Sequence, residues 1–111
     1  MPRNFSHSAF EHFDNEARTR IAFAFIPDPG ADVSVPQLSE LIGKPPTSLN
    51  DGASKLLHQG LLEQGDPTES GVRTYRRVGH PIWAVYETAR LVFTELGIEV
   101  RSLAPSPEIE L

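Results

Sequence analysis

Apolar residues at helical spacing alternate along the chain with short β-like stretches. Phe13, Ala17, Ile21, Ala24 and Phe25 fall on one face and predict a helix over residues 14–26. Asp14 or Asn15 can cap it, and Glu16 stands in its first turn, where the helix dipole favours a negative charge. Arg18 and Arg20 lie off the stripe. Pro27 and Pro29 end the helix, and Asp28-Pro29-Gly30 supplies turn chemistry. Val33-Ser34-Val35 alternates and is β-branched, which predicts a very short strand. A short helix over residues 36–42 then buries Leu38, Leu41 and Ile42. Pro36 suits its first position, because the missing N–H would have no partner there. Ser34 or Val35 holds the cap, and Ser34 has the better chemistry.

Gly43, Lys44 and Pro45 form a turn into a second helix over residues 46–59. Leu49, Ala53, Leu56 and Leu57 point inward at helical spacing. Thr47, Ser48, Asn50, Asp51, Ser54, Lys55 and His58 occupy the opposite face. Gly52 inside this helix costs roughly 1 kcal/mol relative to alanine. It reflects either a close approach to another backbone or simple tolerance. Gly60 suits the left-handed residue just past a helix end. Residues 61–64 and 72–78 read as strands around a polar loop dense in turn residues, which predicts a β-hairpin. On the second strand Val72, Thr74, Arg76 and Val78 alternate with Arg73, Tyr75 and Arg77. Pro81 opens a last helix, about 24 Å long, and Gly97 stops it. Ile82, Val85, Tyr86, Ala89, Val92, Phe93 and Leu96 form its apolar stripe, with Trp83 and Leu91 adding apolar surface on other faces. The stripe is wider than a small domain can cover alone, which points to a second copy of the chain. Residues 98–111 read as a flexible tail with a short alternating piece at Ile98-Glu99-Val100.

Composition narrows the picture. A chain of 111 residues with 39% hydrophobic content supports one domain with a modest core. The absence of cysteine excludes disulfides and thiolate metal sites. The longest apolar run, residues 21–26, is far too short to span a bilayer, and the first residues lack the apolar segment of a secretory signal. The expected location is therefore cytoplasmic. The net charge of −5 weighs weakly against nucleic acid, but distribution matters more. Residues 98–111 carry Glu99, Glu108 and Glu110 against Arg101, so the rest of the chain stands at −3. Arg73, Arg76 and Arg77 cluster on the hairpin.

In this order of elements the chain resembles the winged helix-turn-helix transcriptional regulators, and among them the ArsR-like group most closely. Asn15-Glu16-Ala17-Arg18-Thr19-Arg20-Ile21 is similar to the first-helix signature, with Arg18 three residues before the inward Ile21. Residues 35–62 follow the helix-turn-helix without a gap, through Leu38, Gly43, Leu49, Leu56 and the closing Gly60-Leu61-Leu62. Arg73-Thr74-Tyr75-Arg76 is similar to the far strand of the wing. The resemblance covers about residues 13–97. Its motifs mark a winged helix better than they separate ArsR-, MarR- and PadR-like groups.

The resemblance implies a mainly α fold with a small β-hairpin, in the order α-(β)-α-α-β-β-α. An N-terminal arm (1–12) would precede the domain (13–97), whose last helix (81–97) builds a homodimer. A flexible acidic tail (98–111) would follow. It also implies double-stranded DNA as partner, with the helix over residues 46–59 in the major groove and the wing over residues 65–78 on the backbone. Carried over, Thr47, Ser48, Asn50, Asp51, Ser54 and Lys55 face the groove, and Arg73, Arg76 and Arg77 are wing contacts. The dimer interface would be Ile82, Val85, Tyr86, Ala89, Val92, Phe93 and Leu96.

Two departures bear on function. Asp51 stands where the family commonly carries a basic residue. It can accept from cytosine N4, or it can form an ordinary i,i+4 pair with Lys55. The hairpin arginines can bind phosphate, or can simply guard a strand edge against pairing. The metal-sensing motifs of the ArsR group are absent. His7 and His12 lie five apart with no third ligand nearby, and His58 and His80 are single, so no metal and no cofactor is expected. No nucleophile elbow or phosphate-binding glycine loop is present, which argues against an enzyme. A small-molecule effector stays unidentified. The alternative to a DNA-binding regulator is a winged-helix protein-interaction module, favoured by the acidic balance, Asp51 and an exposed Trp83.

Overall fold

The computed structural model describes residues 16–103. Its elements are α1 (Glu16–Ala24), β1 (Val33–Ser34), α2 (Val35–Ile42), α3 (Pro46–His58), β2 (Leu62–Gln64), β3 (Thr74–Arg77) and α4 (Trp83–Glu95). They make a small α/β domain of helices and a three-stranded antiparallel sheet of order β1-β3-β2. The expected bare hairpin is thus extended by the short strand. Val33 pairs with Tyr75 and Ser34 with Thr74, while Leu62 pairs with Arg77.

Helix α1 is the centre of the molecule. Every residue from Ile21 to Ile26 is buried, along with Thr19. Ile21, Ala22, Ala24 and Phe25 join Leu38, Leu49, Ala53 and Leu56 in the main core. Phe23 points the other way, into a second cluster with Ala89, Phe93 and Ile98. Its ring meets Phe93 edge-on at 5.1 Å and Tyr86 at 6.4 Å. A helix buried on both sides has no polar face to reveal it, so the single stripe expected from the sequence describes only half of the packing. Phe13, Asp14, Asn15, His7, His12 and the arm at 1–12 lie outside the described residues.

Pro27 bars the helix from continuing, and its last carbonyls find distant donors. Ser102 Oγ donates to the Phe23 carbonyl at 2.9 Å and the Leu103 N–H to that of Ala24 at 2.7 Å. Arg77 Nη1 donates to the Phe25 carbonyl at 3.2 Å. These bonds satisfy groups that a helix end leaves bare. They also correct the expectation of a flexible tail from residue 98. Residues 98–103 pack on the domain with Ile98 buried, and Arg101 Nη1 donates to the Leu41 carbonyl at 3.1 Å.

The capping signals of α2 are realised as a capping box. Ser34 Oγ accepts the Gln37 N–H, and Gln37 Oε1 accepts the Ser34 N–H at 2.8 Å. Gly43 then adopts φ +82 and its N–H donates to the Ser39 carbonyl, which ends the helix and turns the chain into α3. Gly52 sits at the crossing of α3 over α1. A Cβ there would stand 3.2 Å from the Arg18 Cα and 3.0 Å from Ile21 Cδ1. Of the two readings of this glycine, close backbone approach is the one the packing supports.

Helix α4 begins at Trp83, two residues later than expected, after a turn in which His80 Nδ1 accepts the Ile82 N–H at 3.1 Å. Trp83 is buried, 2% exposed, which corrects the expectation of an exposed indole. Its Nε1–H donates to the Val78 carbonyl at 2.8 Å, and the Arg77 guanidinium stacks 4.4 Å from its ring centroid.

Candidate nucleic-acid interface

The polar face of α3 is open to solvent. Thr47, Ser48, Asn50, Asp51 and Lys55 are exposed, and Ser54 is half-buried. The face follows from the inward stripe, since burying Leu49, Ala53 and Leu56 turns the positions between them outward. Lys55 Nζ lies 3.6 Å from Asp51 Oδ2, the i,i+4 pairing weighed above. At that exposure the pair contributes only a few tenths of a kcal/mol, about 0.3–0.5, and both groups stay available to a partner.

The three hairpin arginines have different environments. Arg73, just before β3, is exposed, and among the described residues no carboxylate lies within ion-pair distance of it. Arg76 is engaged by Glu63 at 2.8 Å and by Asp32 at 3.8 Å. Arg77 is turned inward. Its side chain is only 14% exposed and is held by Trp83, the Phe25 carbonyl and Glu87 at 3.8 Å. As a candidate contact for an external phosphate Arg77 is therefore corrected to a structural residue. Arg73 and Tyr75 share its alternation on β3 but not its burial in the Trp83 site.

An open cleft of about 380 Å³ separates α3 from the hairpin. Asn50, Ser54 and Pro46 line it from α3, Val35 and Pro36 from the start of α2, and Val72, Arg73 and Tyr75 from the hairpin. The two surfaces picked out in the sequence, the polar helix face and the basic hairpin, thus meet across one concavity. Tyr75 was not among the expected site residues. It is 3% exposed, yet its hydroxyl has no hydrogen-bond partner among the described residues and is not sealed from solvent. The period-two pattern of β3, which puts Tyr75 on the same face as Arg73, was the available signal.

At the other end of the same helix array, Glu16 bridges Arg20 at 2.9 Å and Lys44 at 3.3 Å. Partial burial pushes its carboxyl upward, but hydrogen bonds and charge from Arg20 and Lys44 prevail and hold it below its ordinary pKa of 4.5. The bridge links the start of α1 to the turn before α3. Burial raises the Tyr86 hydroxyl above its ordinary value of 10.0, opposed by the Arg18 charge.

The apolar stripe of α4 divides in two. Tyr86, Ala89 and Phe93 face the domain's own Phe23. Val85, Val92, Leu91, Leu96 and Ile82 are exposed, at 52, 47, 59, 41 and 38%. A shallow groove of about 510 Å³ runs between the two sets, over Ala84, Val85, Thr88 and Val92. Of the residues expected at a dimer interface, Tyr86, Ala89 and Phe93 are thus already engaged within the chain itself, while Leu91 joins the outward set. No helix among the described residues is long and apolar enough to cross a membrane. Comparison with protein-family models, curated proteins and solved structures gave no match.

Proposed function

We propose that this chain is a winged helix-turn-helix protein that acts as a dimeric, sequence-specific DNA-binding transcriptional regulator. In this reading α2 and α3 are the helix-turn-helix, α3 enters the major groove, and the β2–β3 hairpin is the wing. The observation that carries it is the cleft, across which the exposed polar face of α3 and the exposed Arg73 confront the same space. Such an arrangement lets a groove-reading helix and a backbone-binding cation engage one duplex together. The exposed apolar half of α4 supports a homodimer, which would set two α3 helices in successive major grooves on a roughly palindromic site. No catalytic role belongs to this reading.

A second reading, a winged-helix module that binds another protein, draws on the net charge of −5 and on the engagement of Arg76 and Arg77 by groups of the chain itself. The burial of Trp83 removes one of its supports.

Salt titration of binding to a genomic fragment pool separates the two. A DNA-binding protein loses affinity linearly in log salt, with a slope near −0.9 per phosphate neutralised. Fluorescence anisotropy should show that slope for the wild type. Absence of binding even at low salt would leave the protein-interaction reading.

A further inference from the structure

We infer that the cleft between α3 and the hairpin seats one deoxyribose-phosphate unit of the DNA backbone, with Tyr75, Ser54 and Asn50 as hydrogen-bonding residues beside the Arg73 charge. The inference rests on the DNA-binding reading and reassigns part of it, because Asn50 and Ser54 become backbone contacts instead of base contacts.

Charge is the first argument. Among the described residues no acidic side chain lines this cleft, whereas Arg73 does and has no carboxylate partner there. The first turns of both α2 and α3 edge it at Pro36 and Pro46, so the positive ends of two helix dipoles add to the guanidinium. An anion is the occupant that such a field favours.

Hydrogen bonding is the second argument. Tyr75 is buried by the core, paired through its backbone to Val33 and Gln64, and still carries a hydroxyl with no partner among the described residues. A phenylalanine would fill the same core position, so packing does not account for the oxygen. A phosphodiester oxygen in the cleft gives that O–H an acceptor, and the Ser54 hydroxyl and the Asn50 amide supply further donors. The apolar walls are the third argument. Val35, Pro36, Pro46 and Val72 offer carbon surface and no side-chain polar atom. Deoxyribose presents a C2′ methylene to such a wall, where ribose would bring a hydroxyl needing a partner. The occupant is then an anion with an apolar flank, which is the chemistry of the DNA backbone.

Backbone contacts position a protein without reading sequence, so the cleft and the outer α3 face should respond differently. The test measures anisotropy of two labelled duplexes, one of random sequence and one recovered by selection with the purified full chain. Tyr75→Phe and Ser54→Ala should each weaken both duplexes by the same factor, roughly tenfold or more for a lost hydrogen bond to a charged group, with the salt slope unchanged. Arg73→Ala should weaken both and flatten the slope by about one. Thr47→Ala, outside the cleft, should weaken the selected duplex alone. Tyr75→Phe must melt at the wild-type temperature, which separates a binding loss from a folding loss. If the wild type binds with a steep salt slope but Tyr75→Phe and Ser54→Ala bind equally well, the cleft assignment falls and DNA binding stands. Losses confined to the selected duplex overturn it in favour of base reading. A wild type that binds neither duplex at low salt overturns both.

Discussion

Gly52 shows how a single position can carry both fold and interface. Glycine in a helix interior costs roughly 1 kcal/mol relative to alanine through backbone entropy, so its presence asks for a reason. The reason is the crossing of α3 over α1, where Arg18 backbone atoms stand 3.2 Å from the place a Cβ would occupy. Backbone cannot swing aside as a side chain can. Gly52→Ala should therefore gain helix propensity and lose more to overpacking, which typically costs about 1–3 kcal/mol. Urea denaturation should show a net loss of stability. A stabilised variant would mean that the two helices can separate by a few tenths of an ångström without penalty. The same contact sets how far α3 stands from the core, and so how far its neighbours Asp51 and Asn50 project.

At the scale of elements, what the sequence reveals depends on how local the cause is. Helices α2 and α3 are legible because their leucines recur at helical spacing, and Ser34, Gly43 and Gly60 act within a few residues of themselves. The face of α3 follows directly. Helix α1 is only half legible, because Thr19, Ala22 and Phe23 break the single stripe, and only a second layer of packing explains them. Residues 98–103 look like a tail in the sequence because their bonds to Phe23, Ala24 and Leu41 span tens of residues and leave no periodic trace. The site was obscured for a similar reason. Three hairpin arginines look alike in sequence, and only the position of Trp83 tells that Arg77 is a strut. That strut joins three elements: β3 carries Arg77, α4 carries Trp83, and the end of α1 supplies the Phe25 carbonyl. Arg77→Ala removes a shielded cation–π contact, with a contribution up to about 2 kcal/mol, and leaves the Phe25 carbonyl without this donor. It should lower Tm by about 10 °C for a domain of this size. Arg77→Lys keeps the charge but loses the planar stack, and should fall between the two. Trp83 is the sole tryptophan, so its emission follows the loosening directly. If Arg77→Ala melts like the wild type while DNA affinity drops, Arg77 is a nucleic-acid contact after all.

For the whole molecule, the deciding balance is between apolar surface that the chain covers itself and surface left bare. Phe93, Tyr86 and Ala89 are used internally, so substituting Phe93 would damage the Phe23 cluster and report on folding. Val85 and Val92 are the informative positions. They are about half exposed, lie beside the groove on α4, and belong to a run of outward apolar residues that extends to Leu91 and Leu96. Bare patches of this kind mark association surfaces, and a symmetric pair of α4 helices would cover each other. Val85→Glu with Val92→Glu should keep the wild-type circular dichroism, since neither side chain is in the core. Light scattering at micromolar concentration should fall from twice the chain mass to once. The same double variant separates dimerisation from DNA contact. Each monomer retains its α3 face and Arg73, so random-duplex affinity per subunit should persist. Affinity for a selected palindrome should collapse, because two half-sites one helical turn apart can no longer be held together. A wild type that is already monomeric would remove α4 as an interface and leave the regulator to bind as a single unit. If the double variant stays dimeric, the second copy is held through another face, and the half-site spacing expected from α4 no longer applies.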